Sequence, residues 1–310
     1  MMRKIGIIVT DPEDPTAIAF GRACQNSNVE HQIMDLRDAE VSIGKHPEWR
    51  IGKIDPLQFD AIIVRDVGAG AFEGVSFRFD ILRQLEEQGV LIINSPSAIQ
   101  NAANKYYASC LLSKNGLPVP GTKVVQDTES AMEALEEMKD AVIKPVFGYK
   151  GIGILRVRNG MPISEDGKVR ERGIAEHIDK LLEQRGMLYI QEFIENPGRD
   201  IRAFVVNGKV IGAIYRTAPE GSWINNLSQG GDASQCLLTP EQEHICVKAA
   251  EAIGAFFAGV DLIEKRDPKE EEATETFVLE VNGTPSVAGI YKAWGINAAE
   301  DIIKDVIGEI

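Results

Sequence analysis

Phe277-Val278-Leu279-Glu280-Val281-Asn282-Gly283-Thr284-Pro285-Ser286 sets a carboxylate and a carboxamide two residues apart in an apolar run, then stops at turn residues. Side chains alternate along a strand, so Phe277, Leu279 and Val281 take one face while Glu280 and Asn282 share the other. A second apolar run, Ala258-Gly259-Val260-Asp261-Leu262-Ile263, carries a lone Asp261 in the same manner. Burying three such oxygen-bearing groups is costly without a cation, and hard oxygen donors suit magnesium in nucleoside triphosphate chemistry. The segment alone leaves a second reading open, because Glu280 and Asn282 on the solvent face of a half-exposed strand give the same pattern.

Composition narrows the class. The chain has 310 residues, 44% of them hydrophobic, enough for a sizeable core and two or three domain-sized units. No apolar run reaches the roughly 18 residues that a membrane span needs, and Ile5 to Val9 begins a strand with no signal-peptide pattern before it, which argues for the cytoplasm. A net charge of −14 argues against nucleic acid and anionic membranes as partners, since both are met by clustered cations. Cys24, Cys110, Cys236 and Cys246 are scattered, without zinc-site or disulfide spacing, and read as reduced thiols. His31, His46, His177 and His244 fall outside every motif and read as structural or exposed.

Buried-strand patterns at Lys4 to Thr10, Glu30 to Met34, Asp60 to Arg65 and Val90 to Asn94 alternate with helical stretches at Ala17 to Asn26 and Ser76 to Gln88. That alternation predicts a parallel sheet with crossover helices. The unit ends near Asn94-Ser95-Pro96, where Pro opens a helix over Ser97 to Asn115 that Gly116-Leu117-Pro118 stops. A second α/β unit follows, with a helix from Thr128 to Met138 and strands at Ala141 to Pro145, Leu188 to Phe193, Ile201 to Val206 and Lys209 to Arg216. A helix from Pro240 to Phe257 precedes the two acidic strands, and another begins at Ala298. The charged run Asp267 to Glu275 between those strands reads as a solvated hairpin loop.

Gly148-Tyr149-Lys150-Gly151-Ile152-Gly153 lies between two β-like runs, Val142 to Pro145 and Ile154 to Val157, whereas a dinucleotide loop opens a helix. It reads as a hairpin flap whose Gly148, Gly151 and Gly153 let backbone N–H groups approach phosphate, with Lys144 supplying a cation on the entering strand. A plain hairpin with Lys144 in solvent fits the same residues. Tyr189-Ile190-Gln191-Glu192-Phe193-Ile194-Glu195 reads as a connection between lobes whose backbone can meet a nucleobase edge, or as a simple strand end. Asp200 and Arg202 open a hairpin turning at Asn207-Gly208, suited to a ribose hydroxyl and an anion or to pairing with one another. Arg216 ends the next strand, and Asn225 and Asn226 sit in the glycine-punctuated loop Trp223 to Gly231.

Taken in order, Asn94-Ser95-Pro96 with Lys105, Val142-Ile143-Lys144-Pro145 with the flap, Gln191-Glu192-Phe193-Ile194, Asp200-Ile201-Arg202, Asn225-Asn226-Leu227, Asp261 and Leu279-Glu280-Val281-Asn282 resemble the ATP-grasp superfamily. More narrowly they resemble its RimK-type amino-acid ligases, which extend a ribosomal protein, coenzyme F420 or tetrahydromethanopterin with glutamate, and related carrier-protein ligases of lysine biosynthesis. The resemblance implies an α+β fold in three parts: an N-terminal parallel-sheet unit over 1–95, a first lobe with the flap over 96–190, and a second lobe with the metal site over 191–310. It implies ATP as substrate, two magnesium or manganese ions, L-glutamate and a small-molecule acceptor as partners, and a homodimer or homotetramer.

Residue by residue, the resemblance places Lys105, Lys144 and the flap on ATP phosphates. Gln191, Glu192, Phe193 and Ile194 fall at adenine, Asp200 at ribose, and Asn225 and Asn226 beside the nucleotide. Asp261, Glu280 and Asn282 match the metal ligands, and Arg216, with Arg202 and Asn226, the reacting phosphoryl group. Three departures stand out: Asn104 where the family has Asp, Tyr149-Lys150 where small and amide residues are common, and Asn225 where Ser or Thr is usual. The implied chemistry is phosphorylation of an acceptor carboxylate, then attack on the acyl phosphate by an amine, with cations neutralising the moving charge and no protein nucleophile. A cofactor tail is the expected acceptor. A protein C-terminus, a carrier protein, or ATP binding without catalysis are the alternatives.

Overall fold

Strand β1 (Lys4–Ile8) buries Ile5, Ile7 and Ile8 completely, on both faces, as a strand inside a parallel sheet must. The computed structural model describes residues 3–148, 151–164, 166–169, 174–219, 221–224, 232–266 and 273–310. After β1 come α1 (Pro15–Asn26), β2 (Glu30–Met34), β3 (Ala39–Ser42), β4 (Glu48–Ile51), β5 (Ala61–Val64), α2 (Phe72–Glu87) and β6 (Leu91–Ile93). The order β2-β1-β5-β6 is parallel throughout. Phe20 of α1 packs with Ile5 and Ile7 on one face, and Leu82 of α2 packs with Ile8 and Ile62 on the other. The antiparallel β3–β4 hairpin has no counterpart in the sequence reading, which assigned nothing between Met34 and Asp60. Its polar residues mask a pair whose Val41 and Trp49 pack against the core.

The single helix expected over Ser97 to Asn115 is two, α3 (Pro96–Ala103) and α4 (Lys105–Lys114). Asn104 breaks it: its ψ is 96° and its side-chain oxygen accepts from Tyr107 N at 3.1 Å, capping α4. Apolar periodicity runs through both helices and hides the break. Lys105 thereby becomes the first residue of α4, and its backbone N–H donates to Val146 O at 3.2 Å.

The middle sheet contains β7 (Thr122–Val125), β8 (Asp140–Lys144), β9 (Leu155–Arg158), β10 (Met161–Ile163) and β11 (Leu188–Glu192), with α5 (Thr128–Met138) and α6 (Ala175–Arg185). Its order is β10-β9-β8-β11-β7, antiparallel. The third sheet contains β12 (Arg199–Val206), β13 (Lys209–Thr217), β14 (Asp232–Cys236), β15 (Phe257–Arg266) and β16 (Ala273–Asn282), with α7 (Pro240–Ile253), α8 (Ala288–Trp294) and α9 (Ala298–Glu309). It runs β14-β13-β12-β15-β16, also antiparallel. The β12–β13 hairpin turns at Asn207 and Gly208, with φ of 45° and 72°, as its Asn-Gly pair predicts.

Two features fasten the first sheet to the third. Asn94 is fully buried; its amide donates to Phe257 O at 2.7 Å and Gly283 O at 2.6 Å, and its oxygen accepts from Phe256 N at 2.6 Å and Phe257 N at 3.1 Å. Helix α9 buries Ala299, Ile302, Ile303 and Val306 in the same cluster as Ile5, Phe20 and Ile63, so residues from both ends of the sequence share one core.

Candidate active site

The antiparallel pairing of β13, β12, β15 and β16 converts separate sequence motifs into a ladder of charge. Arg216 lies opposite Asp200, Arg202 opposite Asp261, Asp261 opposite Glu280, and Gly259 opposite Asn282. Opposed side chains on one face of such pairs are near neighbours. Arg216 donates to both oxygens of Asp200, at 2.7 and 2.8 Å, and its Nη2 also reaches Asp261 Oδ2 at 2.8 Å. Arg202 donates to both oxygens of Asp261, at 2.6 and 2.7 Å. Asp200, Arg216 and Asp261 are buried.

Electrostatics within this group are uneven. Burial pushes Asp261 up, yet the two arginines outweigh it and hold the carboxyl below the usual range. At Asp200 burial is the larger influence and pushes the carboxyl up to about 6, since Arg216 divides its charge with Asp261.

Glu280 contributes a carboxylate that is 34% exposed, one oxygen of which meets Lys105 Nζ at 3.3 Å. Lys105 Nζ also donates to Gly148 O at 3.1 Å, tying the start of α4 to the flap and to β16 together. Lys144, at the end of β8, donates to Gln191 Oε1 at 2.6 Å on the neighbouring β11. Burial, reinforced by Lys105 and opposed by Glu280, brings the Lys144 ammonium down to about 8.

These groups border one cavity of about 1000 Å³ between the sheets. Lys105, Lys144, Gly148, Gly151, Gln191, Glu192, Phe193 and Ile194 line it, as do Asp200, Arg202, Arg216, Asp261, Glu280 and Asn282. Gly153 does not line it; its carbonyl accepts from Arg185 Nη2 at 2.8 Å. Asn225, Asn226, Tyr149, Lys150 and most of the charged run after Arg266 lie outside the described residues.

The donor set fits a hard divalent cation. Glu280 presents a partly exposed carboxylate, and Asn282 a carboxamide oxygen that also accepts from Thr284 N at 3.0 Å. Asp261 lies beside them with its charge shared between two arginines. Among the described residues no three acidic, His or Cys side chains group as a metal centre.

Trp223 in the cavity wall and Arg156 behind Phe193 carry no role of their own in the sequence reading. Arg156 of β9 is buried, bonds both oxygens of Asp140 at 2.9 and 2.7 Å, and lays its guanidinium 3.3 Å from the centre of the Phe193 ring. Trp223 meets Phe193 edge-on at 6.2 Å. Arg65 and Asp66, from the parallel sheet, line the cavity too. A basic residue in a β-like run was the signal at Arg156, and only strand pairing shows which ring it covers.

Among the described residues no helix is long and apolar enough to cross a membrane. Residues 102–306 match the RimK-like ATP-grasp domain. The tetrahydromethanopterin:alpha-L-glutamate ligase of Methanosarcina acetivorans is 57% identical over 98% of both chains, and its namesake from Methanocaldococcus jannaschii is 35% identical over 98% of both. Among solved structures, the ATP-grasp ligase PsnB complexed with a minimal precursor superimposes with a TM-score of 0.74 over 100% of both chains at 21% identity, a likeness of fold. With a charged ladder on the third sheet, a lysine-fed flap on the second and these relatives along its whole length, the chain belongs to the RimK-like ATP-grasp family.

Proposed function

We propose that the chain is an ATP-dependent ligase that joins L-glutamate to a carboxylate of tetrahydromethanopterin through an acyl phosphate. The observation that carries this reading is the 57% identity, over 98% of both chains, to the Methanosarcina acetivorans ligase of that name.

In this reading the acceptor carboxylate attacks the γ-phosphorus of ATP and ADP leaves; the glutamate amine then attacks the acyl carbon, loses a proton, and phosphate departs. Lys105 and Lys144 hold phosphate oxygens, and Gly148 and Gly151 bring backbone close to them. Phe193, backed by Arg156, faces adenine, with Gln191, Glu192 and Ile194 beside it. Arg216 and Arg202 face the phosphoryl group as its charge moves. Asp261, Glu280 and Asn282 would hold a divalent metal, which would supply further neutralisation of phosphate charge. Positioning and electrostatics carry such a transfer, so no protein nucleophile is required.

The test is phosphate release by purified protein with ATP, magnesium, glutamate and tetrahydromethanopterin, with mass analysis for an acceptor extended by one glutamate. Absence of that product sinks the reading. Glu280→Gln is expected to lower kcat by about 100- to 1000-fold, the scale for losing one group that stabilises transition-state charge, while leaving the melting temperature nearly unchanged; retained turnover removes Glu280 from the metal assignment.

A further inference from the structure

The cavity does not stop at the recess between the two antiparallel sheets. It continues past Thr284 and Ser286 to Arg65 and Asp66, which follow β5 at the carboxyl edge of the parallel sheet. In the order β2-β1-β5-β6 the chain leaves β1 to one side and returns at β5 on the other. The β1/β5 boundary is therefore the switch point of this sheet, where a crevice opens beyond the strand ends.

Arg65 stands at that crevice. Its Nε and Nη2 donate to Asp14 at 3.1 and 3.5 Å, and its Nη1 donates to Thr284 O at 2.6 Å, two residues beyond Asn282. Asp14 has a second duty: Oδ1 caps α1, accepting from Thr16 N and Ala17 N, both at 2.9 Å. One carboxylate is thus shared between a guanidinium and the positive end of a helix, while the adjacent Asp66 accepts from Thr10 N and Gly68 N at 3.2 and 3.0 Å, so neither carboxylate is given to Arg65 alone. These three bonds leave an N–H on each terminal nitrogen of Arg65 without a protein acceptor among the described residues. The loop after Asp66 ends at Phe72, whose ring is 86% exposed at the start of α2.

We propose that Arg65 is a specificity-determining residue that binds a second anionic group of the acceptor, beside the carboxylate that becomes activated. The inference rests on the glutamate-ligase reading above. The nucleotide recess is built on the other two sheets, so Arg65 lies on the side left for the second substrate. Phe72, at the end of the same loop and outside the cavity lining, is an exposed apolar side chain that an acceptor larger than glutamate would meet and glutamate would not. A planar guanidinium held from both sides recognises a carboxylate with defined geometry, which a lysine would not.

The experiment measures KM separately for ATP, glutamate and tetrahydromethanopterin in the wild type, Arg65→Gln and Arg65→Lys, with thermal melting as the folding control. Arg65→Gln is expected to raise the acceptor KM by about 10- to 100-fold, the scale for losing a charge-assisted contact, with the KM for ATP and for glutamate changed less than threefold and Arg65→Lys recovering part of the loss. A second arm does not depend on any variant folding: an acceptor analogue with its non-reacting acidic group capped as an amide should suffer a matching loss with the wild type. An unchanged acceptor KM in folded Arg65→Gln overturns the proposal, as does a rise that falls on glutamate, or a wild type indifferent to the capped analogue. Absence of wild-type turnover overturns the glutamate-ligase reading and this one together, so the two failures are told apart.

Discussion

A lysine partly stripped of its hydration gives up its proton early, and Lys144 in the cavity wall, brought down to about 8 chiefly by desolvation, does so inside the range of an ordinary assay. Above that pH the free pocket loses a cation, and binding an anionic nucleotide must take up a proton to restore it. The Kd for ATP is therefore expected to be flat below about pH 8 and to rise above it, with Lys144→Arg flat throughout; calorimetry across pH 7 to 10 checks this, and a flat wild-type profile refutes it. Arg216 obeys a different rule, because it neutralises two buried carboxylates at once. Arg216→Ala is expected to cost about 3–5 kcal/mol of stability, the scale for breaking a buried ion pair, read as a fall in the urea midpoint; a change below 1 kcal/mol would show that Asp200 and Asp261 find other partners. The alternation of strand side chains made Asp261, Glu280 and Asn282 legible as one oxygen-rich face. That Arg202 and Arg216 both close on Asp261 was not legible, because residues 59 and 45 positions apart meet only through the register of separate strands. Arg65 was hidden for the same reason, 219 positions from the carbonyl it holds.

Elements with local signals were readable and those with distant causes were not. Asn-Gly specified the β12–β13 turn, and glycines between two β-like runs specified the β8–β9 hairpin, since the conformations those turns need are written in adjacent residues. The break between α3 and α4 was missed because Asn104 caps a helix inside a continuous apolar pattern. Its effect is to start a helix at Lys105, beside the flap carbonyl of Gly148. Asn104→Ala is expected to cost about 1 kcal/mol, as loss of an N-cap does, and to weaken nucleotide binding as the start of α4 loosens. Asn104→Asp retains an acceptor and should preserve both; if the alanine variant melts and binds like the wild type, the cap is not what seats Lys105. The departure from Asp at this position thus keeps the capping function.

Across the molecule the three sheets are joined by contacts that ignore sequence distance. Asn94 satisfies four backbone groups at the seam between the first and third sheets, and α9 packs mainly on α1, completing the core that α1 shares with β1. Ile303→Ala in α9 is expected to cost about 2–5 kcal/mol, as deletion of a buried aliphatic side chain does, and to speed hydrogen exchange in α1, on which α9 packs, rather than only in α9. Exchange accelerated in α9 alone would show that the helix is an appendage. The fold class was legible here because strand and helix patterns alternate over residues 1–95, but nothing in residues 298–309 says which sheet they will cover. That arrangement has a consequence for birth of the molecule. During synthesis β1 leaves the ribosome long before α9 is made, and at common elongation speeds the interval is on the order of tens of seconds. Through that interval the cluster of Ile5, Ile7 and Phe20 lacks the Ala299, Ile302, Ile303 and Val306 that complete it. The nascent N-terminal unit therefore waits with part of its apolar core incomplete until the last helix is made and docks.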